Sequence, residues 1–77
     1  MNKKRREEIQ KIRDIFEEKK EELECLKDEE QECYDNLPEP IQAGERGDTM
    51  QENIDNLDYA ISNIEDAISN LDEVLEA

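Results

Sequence analysis

Carboxylates have the most chemistry to offer in this chain: 24 of its 77 residues are Asp or Glu. Paired carboxylates can exchange protons, and clustered ones can hold divalent cations. The twelve-residue window Asp28–Glu39 places acids at its first, third, fifth and twelfth positions, part of the pattern of a calcium loop. Its sixth position is Cys33, where such a loop turns sharply on Gly, and the window reads as continuous helix. A di-metal site in a helical bundle wants Glu-x-x-His on facing helices, and the chain has no His. Nucleophile–base pairs and glycine-rich phosphate loops are missing too. Glu30, in an otherwise apolar series, reads as a polar residue that fixes register rather than as a buried acid with a raised pKa. The expectation is a protein that is no enzyme, with no catalytic residue, no cofactor and no metal ligand.

Cys25 and Cys33 are eight residues apart in one predicted helix. At ~1.5 Å per residue they are separated by ~12 Å, too far for a disulfide within the chain. Free thiols are expected, and they suit a reducing cytosol. A Cys33–Cys33 bridge between two copies is the alternative.

The elements that carry these residues are written in the spacing of the apolar ones. Ile9, Ile12, Phe16, Leu23, Leu26, Cys33 and Leu37 alternate three and four apart, with Lys19 and Glu30 filling two slots. Met50, Ile54, Leu57, Ile61, Ile64, Ile68, Leu71 and Leu75 repeat the spacing without a gap. This is the a/d seam of a coiled coil. A heptad repeat is visible directly: Asn56-Leu-Asp-Tyr-Ala-Ile-Ser62, Asn63-Ile-Glu-Asp-Ala-Ile-Ser69, Asn70-Leu-Asp-Glu-Val-Leu-Glu76. Pro38 and Pro40 interrupt the pattern, Gly44 and Gly47 relax the backbone, and Asp48 stands as an N-cap with Gln51 as its capping-box partner. The reading is a single helical hairpin over residues 1–77. Its first helix runs over about 3–36, the loop over 37–47 and the second helix over about 48–76.

Flanking charges predict how the helices pair. With Ile9, Phe16 and Leu23 at a, the e positions of the first helix are Arg13, Lys20 and Lys27. With Ile54, Ile61 and Ile68 at a, those of the second are Asp58, Glu65 and Asp72. Antiparallel helices bring e against e, which pairs Arg13 with Asp72, Lys20 with Glu65 and Lys27 with Asp58 about a turn near residue 42. Core layers of Phe16 with Leu71, Leu23 with Ile64 and Leu26 with Ile61 follow. The fold class is therefore all-α, an antiparallel two-helix coiled-coil hairpin. At the g positions Ala60, Ala67 and Val74 widen the apolar stripe, which Ile15 and its acidic neighbours on the first helix cover poorly. These four residues predict self-association, most simply a homodimer forming a four-helix bundle.

Charge is unevenly placed. Lys and Arg number 10, and the net charge is −14. Such a chain is repelled by nucleic-acid backbones and anionic membranes, so neither is an expected partner. No apolar run approaches the ~18 residues of a membrane span. Lys3-Lys4-Arg5-Arg6 is followed by Glu7 and Glu8 rather than by the apolar run of a signal peptide, so a cytoplasmic setting is expected. The basic start belongs beside the acidic end of the second helix, a localisation or anion-binding patch being the alternative. Acids on the outer faces remain over: Glu21, Glu24, Asp28, Glu32 and Asp35 in the first helix, and Glu52, Asp55, Asp66 and Glu73 in the second. A solvated face is one reading. An anionic rod that competes with DNA for a basic groove is the other, since duplex DNA carries a charge every ~1.7 Å of its axis.

The segment Asp28-Glu-Glu-Gln-Glu-Cys-Tyr-Asp-Asn-Leu-Pro-Glu-Pro-Ile-Gln-Ala-Gly-Glu-Arg-Gly47, followed by Met50, Ile54-Asp55 and Leu57, resembles a family of small acidic proteins of bacteria and their phages. Their core reads D-E-E-Q-E…N-L-P-E…Q…E-R-G…M. The resemblance covers about half of the chain and implies a helical hairpin in a bacterial or phage setting, with no particular activity. Gly44 departs from the Ser expected there, which bears on a local loop bond. The same segment directs attention to Tyr34, Glu39, Gln42, Glu45 and Arg46, as a folding device or a contact surface. Taken together, the expected function is a non-enzymatic acidic interaction module in the bacterial cytosol. Its expected partner is a basic nucleic-acid-handling or defence protein, inhibited on behalf of a phage or mobile element. The alternative is an assembly protein that joins a larger complex through its apolar stripe.

Overall fold

A computed structural model describes all 77 residues. Helix α1 spans Lys3–Asp35, a single turn α2 spans Glu39–Gln42, and helix α3 spans Glu45–Glu76. The two long helices pack antiparallel into a hairpin 58 Å long and only 13–14 Å across. The radius of gyration is 17.4 Å, well above the ~11.5 Å of a compact domain of this length. The all-α hairpin is as the seam spacing requires.

Both helices receive local support. The Asn2 side chain caps α1 by accepting from the Arg5 backbone N–H at 2.7 Å. Three Gln–Asp pairs four residues apart, Gln10–Asp14, Gln31–Asp35 and Gln51–Asp55, are hydrogen-bonded along the helix surfaces. Arg6 reaches across to donate to the carbonyls of Leu75 and Ala77, so the basic start of α1 satisfies the last turn of α3.

The tip departs from the sequence reading. Asp48 is not an N-cap: its amide donates to the Gly44 carbonyl at 3.0 Å inside the helix, and Gln51 bonds outward to Asp55. Gly44 is the cap residue, extended at φ −94° and ψ −173°, and Glu45 and Asp48 place negative charge in the first turn. Neither glycine has positive φ. Gly47 is needed for closeness instead. It lies buried against the end of α2, where a Cβ would fall 2.0 Å from the Gln42 carbonyl oxygen. Gln42 in turn donates its side-chain amide to the Tyr34 carbonyl at 2.8 Å, tying the tip to the end of α1.

The seam is asymmetric. Ile54, Ile61 and Ile68, all at a of α3, are the only apolar residues buried, at 3%, 6% and 6% exposure. No residue of α1 is buried. Its a residues Ile9 and Leu23 are partly covered, as are Leu37 just beyond its end and Arg13, Lys20 and Lys27 at e, whereas Ile12 and Leu26 at d remain 49% and 54% exposed. Helix α1 is thus rolled towards its e flank. The layer of Leu26 on Ile61 is correspondingly open, and Phe16 keeps 38% of its surface. The aliphatic stems of the three basic residues cover seam that the d residues were expected to cover.

Replacing Gly by Ala inside a helix ordinarily stabilises by ~1 kcal/mol. At Gly47 the sign reverses, and Gly47→Ala costs about 1–3 kcal/mol because backbone blocks the added carbon. Gly44→Ser, with its nearest neighbour at an ordinary 3.4 Å, gains up to about 1 kcal/mol as a new cap. Urea unfolding followed by circular dichroism measures both, and a stabilising Gly47→Ala would contradict this account of the tip.

Candidate interaction surfaces

Rolling α1 towards e gives the hairpin two unlike edges. Along one, the e positions of both helices meet and close the seam with ion pairs. Arg13 binds Asp72 through two nitrogens, at 2.8 and 3.4 Å, and Lys27 binds Asp58 at 2.6 Å. The third expected pair is absent: Lys20 turns back to Glu17 of its own helix at 3.4 Å, leaving Glu65 without a base. The hydrogen bond to Asp72 raises the Arg13 pKa, and that to Asp58 raises the Lys27 pKa, with partial desolvation acting against each. Lys19 is raised in the same way by Glu22, 3.0 Å away.

The closed edge is also the acidic one. Glu24 and Asp28 of α1 face Asp58 and Glu65 of α3 across a shallow groove, with Lys27 and Ser62 between them. Beyond the groove Glu21, Glu32 and Asp35 continue the anionic surface of α1, and Glu52, Asp55, Asp66 and Glu73 that of α3; all seven are exposed. Across the whole chain only five acids, Asp14, Glu17, Glu22, Asp58 and Asp72, lie in ion pairs. The carboxylates of this surface are otherwise uncompensated. No three acids or thiols converge as ligands would, and the Asp28–Glu39 window lies mostly in α1, which disperses its acids around the helix. Cys25 and Cys33 are exposed free thiols.

The opposite edge is mainly apolar, interrupted by the Lys19–Glu22 ion pair, and incompletely covered. It carries Ile12, Ile15 and Leu26 of α1, each about half exposed, beside Leu57, Ile64 and Leu71 of α3. Of the g residues expected to drive self-association, Ala60 is exposed and Ala67 and Val74 are partly so. Glu30 keeps its seam position, partly buried, near Asn53, Asn56 and Leu57. The sequence pattern found this edge through its g stripe. It missed that the d residues of α1 belong to the same edge, which would have required knowing how far that helix is rolled.

At the tip, the Gln42 side chain is occupied in the fold by its bond to the Tyr34 backbone carbonyl, and Tyr34 is partly covered. Glu39, Glu45 and Arg46 project from the tip, exposed and outside the ion pairs. Comparisons of the chain with protein-family models, with curated proteins and with solved structures each return no match.

Double-mutant cycles should give favourable coupling for Arg13 with Asp72 and for Lys27 with Asp58, and none for Lys20 with Glu65. A base whose pKa is raised on folding contributes stability that is present below its unfolded pKa and lost as pH rises through the folded one. The Lys27–Asp58 coupling should therefore persist through neutral pH and be lost as pH rises into the alkaline range. Equal coupling in all three pairs would show that the e edge is closed in some other way.

Proposed function

We propose that the protein is a non-enzymatic acidic interaction module whose closed, anionic edge occupies the basic groove of a nucleic-acid-handling or defence protein. The carrying observation is the row of carboxylates Glu21, Glu24, Asp28, Glu32 and Asp35, all outside the ion pairs, with Asp58 and Glu65 facing Glu24 and Asp28 across the groove. Successive members of this row are three or four residues apart, hence ~4.5–6 Å along the axis of α1, and the hairpin is 58 Å long. A basic groove built for a polyanion gains from such a surface by the same release of counterions that drives nucleic-acid binding. Action on behalf of a phage or mobile element inside a bacterial cytosol is part of this proposal. It rests on fold-level analogy with acidic inhibitors and on the resemblance of the Asp28–Gly47 segment. Self-association as a homodimer belongs to the proposal as well.

The open apolar edge favours a second reading, an assembly role in which apolar contact joins the hairpin to other chains. Salt separates the two. Capture of a basic DNA-binding protein by the immobilised hairpin should weaken at least about tenfold between ~50 and ~200 mM salt. Duplex DNA should compete with it. A Glu21→Gln, Glu24→Gln, Asp28→Gln, Glu32→Gln variant should lose capture while keeping its helicity. Salt-resistant capture that survives these four changes would instead support the assembly role.

A further inference from the structure

Every charged side chain of α3 from Asp48 onward falls on heptad positions b, e and f. Positions c, d and g hold no charge from Thr49 to Val74: c carries Thr49, Asn56, Asn63 and Asn70, d carries Met50 and three aliphatic residues, and g carries Asn53, Ala60, Ala67 and Val74. In a helix with nine acids and no base over residues 48–76, this segregation leaves one uncharged strip along the open edge. Helix α1 flanks it with Ile12, Ile15 and Leu26, each about half exposed, with the Lys19–Glu22 ion pair among them and Glu30 against the strip at Asn53, Asn56 and Leu57.

We infer that this strip is covered by a second copy of the chain, with α3 packed antiparallel on the partner's α3 about a two-fold axis near Asn63 and Ile64. The inference rests on the self-association proposed above and assigns the face and the symmetry that carry it. Three observations select this occupant. The first is charge: two chains of −14 repel each other on any face that brings their carboxylates together, and α3 meets a copy of itself without charge only on this one. A basic partner, by contrast, would gain nothing from an uncharged strip.

The second is surface. The hairpin exposes 5746 Å², about 850 Å² more than the ~4,900 Å² expected of a folded monomer of its mass. The 58 × 14 × 13 Å rod shape spreads that excess along the molecule, leaving room for the ~800 Å² each partner contributes to a standard interface. Three buried isoleucines also make a thin core for a chain of this length, and a second copy would thicken it.

The third is register. An antiparallel two-fold near residues 63–64 sets Leu57 against the partner's Leu71 and Ile64 against the partner's Ile64. It sets Ala60 against the partner's Ala67, small residues that let the helices approach closely. The three near-identical heptads between Asn56 and Glu76 make the strip complementary to its own reverse.

The test uses the full chain. Sedimentation at micromolar concentration should give a dimer whose melting temperature rises with protein concentration. Ala60→Glu and Ala67→Glu place charge on the strip and should each weaken dimerisation at least tenfold, whereas Asp66→Lys, on the outer face, should not. In a Cys25→Ser, Cys33→Ser background, chains carrying Ala60→Cys mixed with chains carrying Ala67→Cys should cross-link on air oxidation, and neither alone should. This cross-link reads the interface even where the glutamate variants unfold. A fully helical monomer at micromolar concentration overturns self-association altogether. A dimer indifferent to both glutamates overturns the face, and self-cross-linking of either single-cysteine chain overturns the antiparallel axis. None of these results depends on what the acidic edge binds, which the salt and competition measurements decide separately.

Discussion

Ile54, Ile61 and Ile68, one heptad apart on α3, are the apolar side chains this protein takes fully out of water. Each contributes on the order of 1.5–3 kcal/mol. That is little against a backbone entropy cost of ~1–2 kcal/mol for every ordered residue. The rest of the structure is arranged to protect this one seam. Arg13 and Lys27 lay their stems along it and fasten their heads to Asp72 and Asp58. Arg6 closes the far end on the carbonyls of α3. At the near end Gln42 and Gly47 bring the tip close enough to hold the helices in register. Exposed ion pairs are individually weak, so these contacts specify which way the helices face more than how firmly they adhere.

That facing divides the molecule. Closing the e edge with ion pairs rolls α1 away from its d residues, which leaves Ile12 and Leu26 exposed beside the uncharged strip of α3. The same roll gathers Glu24, Asp28, Asp58 and Glu65 around one groove. An anionic edge and an apolar edge are thus two consequences of one packing decision. Their separation lets a chain of charge −14 present acid to a partner in one direction and bury apolar surface in another.

The heptad spacing sufficed to read the hairpin, its antiparallel sense and two of its three inter-helix pairs from the residues alone, because seam position and flank charge both obey the helical period. The roll of α1 was hidden because Arg and Lys count as charged in a pattern while their stems behave as apolar cover. The start of α3 was misplaced for a related reason. Asp48 followed by Gln51 is a sound capping signal, but Gly47 sits at heptad position a and belongs to the helix. Its value lies in how near the Gln42 backbone comes, a tertiary distance no local pattern contains. The acidic surface was legible as composition, and its concentration beside the closed edge was not, since that depends on the roll.

The division into two unlike edges is tested most directly by nuclear magnetic resonance with a soluble paramagnetic probe, reading relaxation at side-chain protons at micromolar protein concentration. The account predicts that the Ala60 and Ala67 methyls are shielded almost as well as that of Ile61, while the side chains of Glu21, Asp28 and Asp66 relax as fully solvated groups. Strong relaxation of the Ala60 and Ala67 methyls in a chain that keeps its full helicity would contradict it.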